Sequence, residues 1–156
     1  MPVENNPFDD ERLSAIRTLQ SDPIIQYYIV RTDVPMSIGK IGAQIAHDAQ
    51  MFIQEYERRE WAQAGYGSAD LVEPPKIEDF TPEVQLTIKW LESSFTKVVL
   101  GGKKKDFERI KAELMVFMVR DAGLTEVEPN TETVLVTWPI LKSTQPKFLS
   151  RLQTLK

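Results

Sequence analysis

Apolar residues along this chain follow two periods, one helical and one extended. From about residue 39 to 58, Ile41, Ile45, Ala49, Phe52, Ile53 and Tyr56 gather on one broad stripe when the chain is wound at about 100° per residue. That pattern predicts a helix with one face on a core. Before it, residues 25–31 contain Tyr27-Tyr28-Ile29-Val30, which favours extended backbone, and the turn formers Asp33, Pro35 and Gly39 follow. A strand is predicted there. Earlier still, Leu13, Ile16 and Leu19 have helical spacing over residues 8–20, with Asp9, Asp10 and Glu11 in the first turn, where negative charge suits the helix dipole.

The periodicity lapses from Trp61 to Asp79, a stretch with turn and loop composition, and a surface excursion is expected. Thr81-Pro82-Glu83 has the form of an N-cap with proline at the first helical position, and Val84, Ile88 and Leu91 carry that helix to about residue 93. Lys97–Leu100 reads as a short strand, and residues 103–112 as a short helix with Phe107 and Ile110 inward. Leu114–Val119 is continuously apolar, as a central strand covered on both faces would be. Thr133–Trp138 is the last predicted strand, and Thr144 with Pro146 opens a terminal helix bearing Phe148, Leu149 and Leu152. The order is that of an α/β three-layer sandwich: a four-stranded mixed β-sheet with helices on both faces. The expected organisation is a single domain over residues 1–156, with an extra N-terminal helix (about 8–20) and an inserted loop and helix excursion (about 59–93).

Topology brings chemistry into this scheme. If the strands at 25–31 and 114–119 run the same way, their carboxyl ends share one sheet edge, where α/β folds usually bind ligands. Lys40 leaves the first end, Arg120-Asp121-Ala122-Gly123 leaves the second, and Thr133 enters from the same edge if the last strand is antiparallel. On the long helix, Lys40, Gln44, His47 and Met51 share a face distinct from the core stripe. A solvated face with no task is the ordinary meaning of such an alignment.

Composition narrows the chemistry. The chain has no cysteine, which excludes disulfides, thiolate metal sites and cysteine nucleophiles and suits a reducing, cytoplasmic setting. The longest purely apolar run, Leu114–Val119, is far too short for a membrane span, and the first residues have no secretory pattern. Net charge is −4, but residues 1–92 carry 8 basic against 16 acidic side chains and residues 93–156 carry 11 against 7. The halves thus stand at −8 and +4. Lys103, Lys104 and Lys105, with Lys97, Arg109 and Lys111, form a local basic cluster; a solvated helix start is its commoner meaning and phosphate contact the alternative. Gly39-Lys40 lacks the earlier glycine and the Ser or Thr of a P-loop, and neither a dinucleotide fingerprint nor a Gly-x-Ser-x-Gly elbow occurs. His47 beside Asp48 is a poor metal set, so no metal is expected.

The residues gathered above resemble the type 2 peptidyl-tRNA hydrolase family of archaea and eukaryotes. The likeness rests on Tyr28-Ile29-Val30-Arg31-Thr32-Asp33, on Gly39-Lys40-Ile41-Gly42-Ala43-Gln44 with His47, on Lys97-Val98-Val99-Leu100, on Arg120-Asp121-Ala122-Gly123-Leu124-Thr125, and on Pro129 to Leu135, in the family's order. The resemblance implies hydrolysis of the ester joining a peptide to the terminal ribose of tRNA, without metal or cofactor. It puts Lys40, Asp121 and Thr133 in the catalytic cleft, with Gln44, His47, Thr125 and Arg120 toward the substrate and Lys103, Lys104, Lys105 and Arg109 against tRNA phosphates. The partners it implies are peptidyl-tRNA and, as an expectation, a second copy of the chain. The other reading is a catalytically weak member that serves as a protein- or RNA-binding regulatory module. Four positions depart from the family's habit: Gly42 and Asp48 stand where alanines are usual, Leu124 where a polar or basic residue is common, and Asn130 follows Pro129 where glycine is usual. Asparagine tolerates left-handed backbone, so the turn is expected to survive.

Overall fold

A computed structural model of the chain describes residues 22–65, 73–123 and 126–156. The elements are β1 (Ile24–Arg31), α1 (Ile38–Ala64), a 3-10 turn (Ile77–Asp79), α2 (Pro82–Leu91), β2 (Lys97–Gly102), α3 (Lys104–Glu113), β3 (Val116–Arg120), β4 (Glu132–Thr137), β5 (Ile140–Leu141), a second 3-10 turn (Lys142–Thr144) and α4 (Lys147–Ser150). The predicted helix at 8–20 and the middle of the 59–93 excursion lie outside the described residues.

The sheet order is β2-β1-β4-β3, with β5 extending the antiparallel pairing of β1 at its start. β1 and β2 are parallel, whereas β4 is antiparallel to both β1 and β3. β1 and β3 therefore point the same way with β4 between them. This corrects the reading of Leu114–Val119 as a central strand, because β3 is an edge strand. Its unbroken apolar run has a different cause: Phe117 packs against one core, and Val116 and Met118 against the other. Apolarity on both faces reports that both are covered, and says nothing about lateral position in the sheet.

The two cores follow from alternation along β1. Ile24, Tyr28 and Val30 join Phe52, Tyr56, Val84, Trp90, Val134 and Trp138 beneath α1 and α2, whereas Ile25, Tyr27 and Ile29 join Leu100, Phe107, Ile110 and Leu149 beneath α3 and α4. Helices thus cover both faces, as a three-layer sandwich requires. Phe52 lies at the centre of the first core, meeting Trp138 edge-on at 5.1 Å between ring centroids, Phe117 at 6.0 Å and Trp90 at 6.2 Å.

Several boundaries move from their predicted positions. α1 continues to Ala64, past the expected end near 58, and stops at Gly65, which takes left-handed backbone at φ 71°. Its last turns are held from outside: the Gln63 side chain accepts from the Thr81 backbone N–H at 2.9 Å and donates to Thr81 Oγ1 at 3.2 Å. The predicted terminal helix is a single turn. After it the chain runs along the free edge of β2, where the Gly101 N–H donates to Gln153 O at 2.9 Å and the Leu155 N–H to Val99 O at 3.0 Å. Among the described residues, no helix is long and apolar enough to cross a membrane.

Replacing Phe52 by alanine removes the ring shared by three aromatic neighbours and leaves a cavity under α1. The expected loss of unfolding free energy is about 3–5 kcal/mol, read from the midpoint of chemical denaturation.

Candidate active site

The site is built where the first turn of α1 meets the exit of β3. Ser37 caps α1: its backbone is extended and its Oγ accepts the Lys40 N–H at 3.2 Å. The cap is itself anchored across the edge, since the Ser37 N–H donates to Glu126 Oε2 at 2.7 Å and its hydroxyl to Glu126 Oε1 at 2.6 Å. These bonds hold the Glu126 carboxyl below the usual range, and Lys40 adds to the effect. The β3–β4 loop thereby fixes the position from which Lys40 projects.

Lys40 and Gln44 stand one helical turn apart, and both reach Asp121, the first residue beyond β3. The Lys40 ammonium forms an ion pair with Asp121 Oδ2, and Gln44 Nε2 donates to the same oxygen at 2.5 Å. The Gly123 N–H donates to Asp121 Oδ1 at 2.8 Å, closing an Asx-type turn. Both members of the ion pair are largely sheltered, with side-chain exposures of 13% for Lys40 and 9% for Asp121. The Lys40 hydrogen bond, first, and the Gly123 N–H, second, keep the Asp121 carboxyl below the usual carboxylate range. Asp121 is therefore an anion at neutral pH. Three N–H donors occupy its oxygens and leave acceptor capacity for a further donor such as water.

The turn behind Asp121 explains its rigidity. The Asp121 N–H donates to Thr131 O at 3.0 Å and its carbonyl accepts the Asn130 N–H at 2.6 Å. Asn130 has φ 63°, the left-handed conformation expected of it from the sequence. Gly123 has φ 75°, and a Cβ there would lie 2.5 Å from the Pro129 nitrogen, so a side chain is excluded on two counts.

The remaining sequence candidates divide. Thr133 is fully buried and is the extra residue where the β3–β4 register shifts; its hydroxyl donates to Val119 O at 3.4 Å. His47 and Met51 are exposed on later turns of α1. Arg120 projects to the opposite face of the sheet from Asp121, 3.8 Å from Glu132 Oε1, with Lys111 Nζ on the same carboxylate at 3.0 Å. Strand alternation alone separates Arg120 from Asp121. Thr125 lies outside the described residues. Lys103, Lys104 and Lys105 are exposed at the start of α3, at the same end of the sheet as the Lys40–Asp121 pair. Lys97 begins β2, about 20 Å from Lys103 at 3.3 Å per residue, with its ammonium 4.6 Å from the centroid of the Trp90 ring. It does not belong with the three lysines. Arg109 stacks on Phe148 at 4.8 Å and pairs with Glu113 at 3.2 Å.

Sequence reasoning missed three contributors. Glu126 carried no signal, because a lone acid in a turn is ordinary. Arg151 and Lys156 join Lys103 and Lys105 around a cleft of about 520 Å³, an outcome of the tail pairing with β2 that no local pattern encodes.

The sequence matches the family described as peptidyl-tRNA hydrolase PTH2 over residues 24–155. The chain belongs to that family. It is 32% identical over 118 residues to a peptidyl-tRNA hydrolase of Staphylothermus marinus, covering 70% of this chain and 77% of the relative. Identity to a Methanopyrus kandleri peptidyl-tRNA hydrolase is 34% over 116 residues, 70% of this chain and 79% of that protein. A mouse relative named peptidyl-tRNA hydrolase 2, mitochondrial, is 31% identical over 113 residues, 69% of this chain and 50% of its own length. The matched span begins with β1 and takes in every element of the site.

Two outcomes check the site's construction. Gly123→Ala should lower stability by about 1–3 kcal/mol in thermal or denaturant unfolding, the usual scale for forced left-handed backbone. Asp121 and Glu126 both have folded pKa values below their unfolded ones, so their contribution is fully present above about pH 4 and is lost as pH falls through the folded values. The melting temperature should accordingly drop below about pH 4, and less steeply in Glu126→Gln, as a pH series of melting curves would record.

Proposed function

We propose that the chain hydrolyses the ester between the peptide and the terminal ribose of peptidyl-tRNA, releasing free tRNA. The observation that carries this reading is the sheltered Lys40–Asp121–Gln44 constellation at the shared sheet edge of a PTH2 family member. The relatives' name, peptidyl-tRNA hydrolase, supplies the substrate class.

Ester hydrolysis needs a water oriented on the carbonyl carbon, a positive group where the carbonyl oxygen becomes an oxyanion, and a route for one proton from water to the departing ribose oxygen. Asp121, anionic and with acceptor capacity left, orients the water and takes its proton as the tetrahedral species forms, then returns that proton to the ribose oxygen as the ester C–O bond breaks, which leaves the carboxylate as it began. Its depressed pKa makes it a weak base, so orientation is the larger part of its task. The Lys40 ammonium stabilises the developing oxyanion in a site that admits little water. Gln44 fixes the Asp121 carboxylate in plane. Thr133, the third residue that the family resemblance puts in the cleft, is fully buried with its hydroxyl on Val119 O. An ammonium beside a carboxylate already holding three donors suits anion stabilisation, and the proposed chemistry runs without a metal.

The start of α3, with Lys103, Lys104 and Lys105, lies at the same end of the sheet, and we assign it the tRNA backbone. The aromatic and acidic contacts of Arg109 favour a structural role over phosphate contact for that side chain. The reading also carries a cytoplasmic location, in keeping with a cysteine-free chain, and a homodimer, in keeping with the exposed apolar side chains of Ile38, Trp61 and Met115.

Release of tRNA from purified N-blocked aminoacyl-tRNA tests the central claim. Asp121→Asn should slow release by about a hundredfold or more, with Lys40→Met similar and His47→Ala milder. Retention of tRNA binding with no turnover in the unaltered protein would favour the regulatory module instead. Replacing Lys103, Lys104 and Lys105 together by glutamine should weaken binding and flatten its log–log salt dependence by about one for each phosphate no longer neutralised, with turnover at saturation unchanged. An unaltered slope would confine the footprint to the ester end of the substrate.

A further inference from the structure

The most deeply buried line of α1 is polar at its catalytic end. Gln44 is almost fully buried and Asp48, one turn later, is completely so; Phe52 and Tyr56 continue the same line into the core. Gln44 uses its Nε2 on Asp121, yet its Oε1 is buried without a partner. Both carboxyl oxygens of Asp48 are also buried without a partner. An unpaired carboxylate in such a place is costly, and a hydrogen-bonded neutral acid is far less so.

We propose that Asp48 is a positioning residue for the Lys40–Asp121 site: as a neutral carboxylic acid it donates its proton to Gln44 Oε1 and so holds Gln44 Nε2 on Asp121. The inference rests on the hydrolase reading for its consequence in turnover, while the contact itself is independent of that reading. Residues four apart on a helix have Cβ atoms about 5–6 Å apart, and helical side chains lean toward the N-terminus, which carries the Asp48 carboxyl toward Gln44. Three oxygens are vacant, one on Gln44 and two on Asp48, and a proton on Asp48 makes the two side chains complementary. An amide carbonyl only accepts, and a protonated carboxyl is a donor.

The surroundings favour the neutral acid. On β1, the Tyr28 phenol packs near Asp48 and donates to Gln26 Oε1 at 2.9 Å, and its own pKa is pushed up by burial and by Asp48. On α1, Phe52 follows one turn later; Trp138, just beyond β4, meets Phe52 edge-on. Beyond Gln44 stand Lys40 and Asp121. Burial pushes the Asp48 carboxyl up to about 8. Below that pH the acid holds Gln44 in place. Above it, carboxylate would face carbonyl oxygen, and the amide of Gln44 would turn its NH2 toward Asp48 and leave Asp121.

Two measurements on the full chain separate this contact from the hydrolase reading. In a carboxyl-carbon NMR titration, Asp48 should titrate near pH 8, and the Gln44 side-chain amide resonances should shift with the same midpoint in the wild type and stay flat in Asp48→Asn. Titration of Asp48 near pH 4, or Gln44 resonances that ignore it, would overturn the proposal whatever the protein's activity. In tRNA release, corrected for spontaneous ester loss, kcat of the wild type should fall as pH rises through about 8. Asp48→Asn, whose amide donates at every pH, should keep kcat at pH 7 within about threefold and abolish the alkaline fall. Asp48→Ala should lower kcat at pH 7 by about tenfold with KM nearly unchanged, near-UV circular dichroism confirming that it is folded. An alkaline fall that persists in Asp48→Asn, or wild-type kcat in Asp48→Ala, would also overturn it.

Discussion

The ion pair between Lys40 and Asp121 ties the first turn of the long helix to the exit of an edge strand, and most of the site's geometry follows from it. A sheltered pair gains its attraction at the expense of hydration, so it endures only where further hydrogen bonds complete it. Gln44 and the Gly123 N–H supply that completion on the carboxylate. On the other side of the same junction, Glu126 holds the Ser37 cap. The start of α1 is therefore fastened to the β3–β4 connection at two points, one charged and one through the cap. Loosening either would misplace an ammonium that has to meet a specific oxygen.

The sheet beneath sets the same constraint by other means. β1 and β4 are buried on both faces, and their alternation assigns residues to two cores that press helices from opposite sides. Within the α1 core the aromatic group around Phe52 fixes the helix along its length, and the polar residues Gln44 and Asp48 occupy the portion nearest the ion pair. An entirely apolar line would pack more cheaply. Gln44 has its counterpart in Asp121, and the bond proposed from Asp48 would give the site an adjustable hydrogen bond that an alanine at position 48 would lack.

Charge is distributed by topology rather than by composition. A protein of net charge −4 still gathers Lys103 and Lys105, from the start of α3, with Arg151 and Lys156, from the tail, around one cleft. The tail's pairing with Val99 and Gly101 also covers the free edge of β2, which would otherwise expose unpaired backbone groups.

Much of this was legible in the residues. The extended preference of Tyr27–Val30, the helical stripe through Phe52 and Tyr56, the Thr81-Pro82 start and the order of elements are local properties, since they depend on side-chain period and backbone preference within a few residues. Asn130 in left-handed backbone and the meeting of Lys40 with Asp121 were likewise expected, because parallel strand ends share an edge. Tertiary structure decided the rest. It put β3 at the edge, since burial of both faces is blind to lateral neighbours. It sent Arg120 across the sheet from Asp121, separated Lys97 from the lysines of α3, and extended α1 to Ala64 through contacts with Thr81. It also buried Gln44 and Asp48 on the line that an apolar count assigns to neighbouring isoleucines. Helical periodicity gives the spacing of a face, but which line of that face points inward depends on the sheet it rests on.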